Sequence, residues 1–164
     1  MTTSDRARGV QLVRAGAGTS WWVVGDTYTF KATGEDTKQR FTLFEASIPP
    51  QAGPPPHVHQ VEDEAYYLLE GELEVLDHDR WLTVRRGDFV HIPPGTRHAF
   101  RNPGSTPSRM LVFLSPAGFE NFFFEVGQPA RPGEQAPPLG SEELERTVAA
   151  APTYGMELHL PDGA

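Results

Sequence analysis

The chain has 164 residues, a formal net charge of −8 and no cysteine. This length is typical of one domain rather than two, disulfides and thiolate metal sites are excluded, and no basic patch suited to nucleic acid is visible. Because there is neither a membrane-spanning apolar window nor the apolar stretch of a signal peptide, we expect a cytoplasmic protein without nucleic-acid or membrane partners.

Short apolar, β-branched and aromatic runs alternate with Gly- and Pro-rich turns, which predicts many short strands after a loose tail at residues 1–8. The alternation is clearest where Phe41 and Leu43 are interleaved with Thr42 and Phe44. The predicted strands are Val10–Val13, Trp21–Val24, Tyr28–Ala32, Lys38–Ile48, Glu64–Leu69, Glu72–Asp77, Arg80–Arg85, Asp88–Ile92, Arg97–Asn102 and Arg109–Leu114.

Two segments interrupt or follow the strands. Pro49–Pro56 is rich in proline, which cannot donate to a sheet ladder, so it is predicted to be a loop or an edge. Ala117–Val126 has the wide apolar face of a short helix. A second helix is predicted to begin at Ser141, a residue type suited to the N-cap position, and to end at Pro152 and Gly155.

Strands at close spacing followed by helices predict an all-β fold, a barrel or sandwich with one or two C-terminal helices. We place the barrel core at about 9–115 and the helical tail at about 117–158. Residues 1–164 are expected to form a single domain.

Four residues have the chemistry of a metal site. His57 and His59 are two positions apart, so on a strand they would lie on one face. Glu64 follows five residues later, and His98 lies on a separate run. Three imidazoles and one carboxylate suit borderline divalent ions of the first transition row.

These residues lie in a pattern that resembles the two motifs of the cupin superfamily. The first motif is Gly, five residues, His-x-His, three or four residues, Glu, six residues and Gly. His57, His59, Glu64 and Gly71 match it, whereas Gly53 precedes His57 by four positions rather than six. The second motif is Gly, five residues, Pro-x-Gly, two residues, His, three residues and Asn. Its matches are Gly87, Pro93, Gly95, His98 and Asn102.

The resemblance implies a double-stranded β-helix, or jelly-roll, barrel with one divalent metal ion (Ni, Co, Mn, Fe, Cu or Zn). It implies that His57, His59, Glu64 and His98 are the metal ligands. The matched glycines would be turn residues, Pro93 would stiffen the turn before His98, and Asn102 would be structural. A homodimer is expected by the same resemblance.

The tail, from Gly118-Phe-Glu-Asn-Phe-Phe-Phe-Glu to Tyr154-Gly-Met-Glu-Leu, resembles that of bacterial single-domain cupins related to quercetin 2,3-dioxygenase. This implies a metal-dependent dioxygenase that cleaves a flavonol, or a related phenolic or enolic substrate, with O2. Glu64 would be the catalytic base. Residues 119–124 would form a lid over the barrel mouth or pack against its outer wall.

The aromatic residues of the strands are either core or part of a slot for a flat aromatic ligand. They are Phe41, Phe44, Tyr66, Phe89, Phe100 and Phe113. Two other functions stay open: a metal-dependent isomerase, cyclase or dehydratase that uses no oxygen, and a small-molecule-binding protein without turnover. Dependence of turnover on dioxygen would distinguish the first of these from the dioxygenase.

Overall fold

The structure is a computed structural model that describes residues 9–161, so the predicted tail at residues 1–8 lies outside the described residues. The strands are β1 (Thr19–Val23), β2 (Asp26–Ala32), β3 (Thr42–Ile48), β4 (His57–His59), β5 (Asp63–Glu70), β6 (Glu72–Asp77), β7 (Arg80–Arg85), β8 (Phe89–Ile92), β9 (His98–Arg101), β10 (Ser108–Ser115), β11 (Gln128–Pro129) and β12 (Met156–Leu158). The helices are α1 (Gly34–Thr37), α2 (Glu120–Val126) and α3 (Ser141–Ala150), the last followed by a 3-10 turn at Ala151–Tyr154.

The strands form two antiparallel sheets. One has the order β11-β1-β2-β3-β10-β5-β8, and the other has the order β12-β4-β9-β6-β7. Side chains on the inner faces of both sheets, together with α2, form one core. This arrangement confirms the predicted all-β jelly-roll with C-terminal helices.

Strand β3 shows how the sequence pattern produces the sheet. Its residues alternate strictly between buried and half-buried positions, with Phe44, Ala46 and Ile48 on the inner face. An alternation of period two is what a strand needs when one face packs on a core. The predicted strand therefore forms, but it begins at Thr42 because α1 and its left-handed cap at Lys38 occupy the preceding residues.

The predicted strand Val10–Val13 is wrong. These residues form no ladder with any strand of the described chain, and Val10 and Leu12 are 100% and 69% exposed. Their apolar character predicted a strand, but a strand is stabilised only by a paired neighbour and a buried face. Neither is present here.

The predicted N-cap at Ser141 is also wrong, by one residue. Gly140 has the extended backbone of the N-cap, Ser141 is the first helical residue, and the cap makes no side-chain hydrogen bond. Glu143 of this first turn instead accepts a 2.6 Å hydrogen bond from the backbone N–H of Val24. The helix start is thus tied to the end of β1.

Two motif residues have the structural roles expected of them. Asn102 is buried, and its Nδ2 donates to the carbonyls of Ile48 and Thr106 at 2.9 and 2.8 Å. Gly71 has φ +80°, and a Cβ there would clash with the Ser108 side chain. Glycine is therefore required between β5 and β6.

Helix α2 is attached to the barrel by a buried carboxylate. Glu120, which is 4% exposed, accepts hydrogen bonds from Gly34 N–H, Thr42 Oγ1 and Gly118 N–H at 2.6–2.7 Å. One side chain thus joins α1, β3 and the loop before α2. Because a charged acceptor satisfies three donors, this contact fixes where α2 begins.

We expect Glu120→Ala to lower the free energy of unfolding by about 3–5 kcal/mol, because it leaves these donors buried without an acceptor. Chemical denaturation measures this loss. Glu125→Ala is the matched control, since it removes an exposed glutamate from the same helix and is expected to cost less than about 1 kcal/mol. Equal losses in the two variants would show that Glu120 does not anchor α2.

Candidate metal centre

The four predicted site residues come from three strands and both sheets. His57 and His59 lie on β4, Glu64 lies on β5 and His98 begins β9. β4 and β9 pair with His57 opposite His98, whereas β5 belongs to the facing sheet. The packing of the two sheets thus brings the carboxylate onto the imidazoles, and all four side chains are buried.

The ligand atoms of these residues form a compact group. One atom from each side chain lies within 4.8 Å of the others. The Oε2 atom of Glu64 is 2.7 Å from Nε2 of His98 and 3.4 Å from Nε2 of His59. No second group of three or more such residues is found among residues 9–161.

Backbone carbonyls orient two of the imidazoles. Nδ1 of His57 is 2.9 Å from the Pro55 carbonyl, and Nδ1 of His98 is 2.9 Å from the Thr96 carbonyl. A carbonyl only accepts, so each Nδ1 carries a hydrogen. Nε2 of His57 is then left to ligate, whereas Nε2 of His98 contacts the Glu64 carboxylate in the metal-free centre and would release any hydrogen there on binding an ion. Three imidazoles and one carboxylate, buried and oriented in this way, fit a divalent transition-metal site.

Burial and mutual charge determine the protonation of the metal-free centre. Burial, with the neighbouring histidines, lowers the pKa of His57 to about 3, and burial lowers that of His59 to about 4. Burial by itself would raise the pKa of Glu64, but the histidine charges and the His98 hydrogen bond outweigh burial and lower this pKa to about 2. Burial by itself would lower the pKa of His98, but the hydrogen bond to Glu64 outweighs burial, and the pKa is raised.

These shifts predict that acid destabilises the metal-free protein. Below the unfolded value of 6.5, unfolded His57 and His59 bind protons that the folded protein excludes until about pH 3–4. Each therefore costs up to about 1.4 kcal/mol of stability per pH unit in that window. His98, with a raised pKa, contributes stability at low pH that is lost as the pH rises. Its effect on the pH dependence is opposite to that of His57 and His59, and the two lowered pKa values together outweigh it.

Urea denaturation of the chelator-treated protein, between about pH 7 and pH 5, measures this slope. His57→Gln is expected to reduce the slope of stability against pH, because it removes a histidine that binds a proton in the unfolded protein but not in the folded one. His78→Gln, which changes an exposed histidine, should leave it unaltered. Equal stability of the wild-type protein at both pH values would contradict the prediction.

A small apolar cavity adjoins the centre. Its volume is about 40 Å³, and its lining includes His57, His59 and Glu64 together with aromatic rings. The Phe119 ring stands edge-on to His59, with centroids 4.4 Å apart. Phe122 and Phe123 complete this side of the cavity.

The phenylalanines of α2 therefore cover the site rather than the outer wall. Phe119, Phe122 and Phe123 are 2–8% exposed and point inwards. Phe124 points elsewhere, against Trp21 and Phe30 at centroid distances of 5.1 and 4.9 Å. The alternative of outer-wall packing therefore applies to Phe124 alone among these rings.

The strand aromatics divide between the two faces of the sheets. Phe44 and Phe100 line the cavity, and Tyr66 is buried nearby with a hydroxyl that finds no partner of good geometry. Phe89 and Phe113 lie on the outer face, 66% and 36% exposed. Phe41 stacks on Phe113 with centroids 5.4 Å apart and does not line the cavity. The aromatic residues that border the cavity are therefore those of the inner face, together with rings at and after the start of α2.

Glu62 is a site residue that sequence reasoning missed. It lies between β4 and β5, is 7% exposed, and has Oε2 3.6 Å from Nδ1 of His59. Burial raises the pKa of its carboxyl. The signal that could have identified it is a carboxylate three residues after His59, in a loop too short to carry that side chain far from the ligands.

The other histidines take no part. His78 is exposed, His91 pairs with Asp63 at 2.8 Å, and Nε2 of His159 is 3.1 Å from Glu157.

Across residues 9–161, no helix is both long and apolar enough to cross a membrane.

The chain is similar to proteins of known family. The family described as "Cupin domain" matches residues 44–114, which contain all four site residues. Over 143 residues the chain is 32% identical to "Quercetin 2,3-dioxygenase" of Bacillus subtilis, a match covering 85% of this chain and 42% of that protein. Over 60 residues it is 38% identical to "Polyketide synthase CurC" of Streptomyces cyaneus, covering 37% of this chain and 39% of that protein.

The chain thus spans about two fifths of the length of these two relatives. Among solved structures, that of a predicted oxalate decarboxylase from Thermotoga maritima superposes with a TM-score of 0.61 at 21% identity. The match covers 65% of this chain and 99% of the other, and it shows a shared fold. The family match, the relatives and the architecture together establish that the chain belongs to the cupin superfamily and resembles quercetin 2,3-dioxygenase.

Proposed function

We propose that His57, His59, Glu64 and His98 hold one divalent transition-metal ion, of Ni, Co, Mn, Fe, Cu or Zn. The supporting observation is that their ligand atoms gather within 4.8 Å, buried at the junction of both sheets. Two of the imidazoles already present Nε2 to this point through their carbonyl contacts. Four protein ligands leave room for substrate, as catalytic sites require.

We further propose that the protein is a quercetinase-like dioxygenase that cleaves a flavonol, or a related phenolic or enolic compound, with O2. The observation that carries this proposal is the buried His/Glu centre facing a cavity lined by phenylalanine rings. Sites of this composition, mostly apolar with a few polar groups, suit flat aromatic ligands. The similarity to the Bacillus subtilis enzyme supports the same class.

The bound ion would act as a Lewis acid that lowers the pKa of the substrate hydroxyl. Glu64 would then accept the hydroxyl proton as general base. In the metal-free centre the pKa of Glu64 is lowered to about 2 by the neighbouring histidines, so its carboxyl group is ionised at neutral pH. Phe122 and Phe123 would shield the reacting ring from water.

Oxygen uptake by the purified protein with quercetin, after separate loading with Ni, Co, Mn and Fe, tests this function. Metal-dependent uptake that disappears in His98→Ala would support the dioxygenase. No uptake with any of these metals, in protein shown to hold one, would contradict the flavonol proposal.

The second candidate is a metal-dependent isomerase, cyclase or dehydratase that uses no oxygen. The similarity to a polyketide synthase component favours it. Substrate conversion that proceeds equally under argon and under air would select this reaction class over the dioxygenase. A ligand that binds and is recovered unchanged under both gases would instead indicate a binding protein.

A further inference from the structure

Two buried polar atoms face each other beside the metal centre without completing a hydrogen bond. Nδ1 of His59 and Oε2 of Glu62 are 3.6 Å apart, and neither has another partner. Both side chains are almost completely buried, at 4% and 7% exposure. Leaving such groups unsatisfied is costly, so an arrangement that joins them is favoured.

His59 differs in this respect from the other two histidines. His57 and His98 each have Nδ1 on a backbone carbonyl at 2.9 Å, whose position is set by the chain itself. His59 has a carboxylate on a flexible side chain instead. An ionised acceptor makes a stronger hydrogen bond than a carbonyl and increases the basicity of the opposite ring nitrogen.

The surroundings allow only a small adjustment of this pair. The backbone at His59 is held, since its carbonyl accepts from Gly95 N–H at 2.8 Å and Gln60 N–H donates to Gly155 at 2.9 Å. The Phe119 ring abuts the imidazole on one side. A side-chain movement of Glu62 by a few tenths of an ångström would therefore complete the bond, with no change in β4.

We propose that Glu62 is a positioning residue of the metal centre: its carboxylate accepts the Nδ1–H hydrogen of His59 and so directs Nε2 of His59 at the ion. Glu62 occupies one of the variable positions inside the first cupin motif, and at the proposed metal site it would touch neither the ion nor the substrate. It acts through His59 alone. The carboxylate–imidazole pair makes His59 the strongest nitrogen donor of the three.

The test is metal affinity, with Co²⁺ as the probe because its visible spectrum reports ligand strength. Competition with a chromophoric chelator gives the dissociation constant. We expect Glu62→Ala to weaken Co²⁺ binding about 10–100-fold, the usual effect of losing such a partner. Glu62→Gln, whose amide oxygen still accepts the hydrogen, should recover most of this loss and shift the Co²⁺ bands less than Glu62→Ala does.

Asp63→Asn is the matched control. It removes the same charge at the neighbouring position, where the side chain points outwards to His91. We expect it to change the affinity less than about twofold, because an exposed charge is screened. Urea denaturation of the metal-free variants shows whether each is folded. Glu62→Leu, which also lacks an acceptor but fills more of the space, preserves the test if Glu62→Ala is not folded.

Three results would overturn the inference. One is wild-type Co²⁺ affinity together with a wild-type Co²⁺ spectrum in folded Glu62→Ala, or in folded Glu62→Leu where alanine unfolds the chain. Another is equal weakening by Asp63→Asn, which would indicate overall charge rather than a hydrogen bond. The last is failure of the wild-type protein to bind Co²⁺, which would overturn the proposed metal site on which this inference rests.

Discussion

Replacing His98 with alanine is expected to weaken binding of a divalent ion by more than about a hundredfold and to abolish any metal-dependent oxygen uptake. Losing a partner of a ligand costs about 10–100-fold, and losing the ligand itself costs more. His98 is also the closest neighbour of Glu64, at 2.7 Å. Its removal therefore takes away one donor atom and leaves the carboxylate without its hydrogen-bond partner.

The second effect reduces stability. Breaking a buried pair by removing one partner costs about 3–5 kcal/mol of stability. Loss of metal binding in His98→Ala could therefore result from unfolding as well as from the missing ligand. His98→Gln separates the two effects, because the glutamine amide reaches the position of Nε2 and can still donate to Glu64, although it is a poor metal ligand. Chelator competition should give weak binding in both variants and urea denaturation should give higher stability for glutamine.

The control is His78→Ala, which removes an exposed histidine side chain from the turn between β6 and β7. It should retain metal affinity within about twofold, since it alters no group in the centre. Wild-type affinity in folded His98→Gln would contradict the proposed ligand set.

The four residues of the candidate site could be predicted from the sequence because they lie in two short motifs that resemble those of cupins. The His57-x-His59 spacing places two rings on one face of any strand. The turn from Pro93 to Gly95 fixes the approach of His98, and the sequence offers no other cluster of this kind. Facing sheets then bring Glu64 to the imidazoles, which the barrel fold requires.

What sequence did not reveal depends on long-range packing. Glu120 accepts hydrogen bonds from Thr42 and Gly34, which precede it by 78 and 86 positions in the chain. The contact of Phe119 with His59 spans sixty positions and depends on where α2 crosses the barrel mouth. No local pattern encodes either contact. The single domain, the homodimer and the cytoplasmic location stay predictions.

The same dependence on context explains the errors. Val10–Val13 has the composition of a strand but no strand to pair with. Ser141 has the preferred side chain for an N-cap, yet Gly140 takes that place while Glu143 makes the tertiary contact with Val24. Local propensity is outweighed in both cases by which neighbours the fold supplies.

Phe119→Ala is expected to increase the affinity for quercetin, because the Phe119 ring occupies space that an aromatic substrate needs. The cavity holds about 40 Å³, whereas pockets for ligands of that size are about 300–1,000 Å³. Substrate entry must therefore displace the ring from its buried position. That step costs about 1.5–3 kcal/mol for one phenylalanine, equivalent to about 10–100-fold in affinity.

The variant should therefore show a lower KM for quercetin, by up to about tenfold to a hundredfold, together with a free energy of unfolding reduced by about 3–5 kcal/mol. Phe124→Ala is the matched control: the same truncation in the same helix, on a ring that packs against Trp21 and Phe30 outside the cavity. It should lose stability without a gain in affinity. An equal KM in the two variants would show that α2 packs the barrel without gating it, whereas a gain confined to Phe119→Ala would identify that ring as the gate.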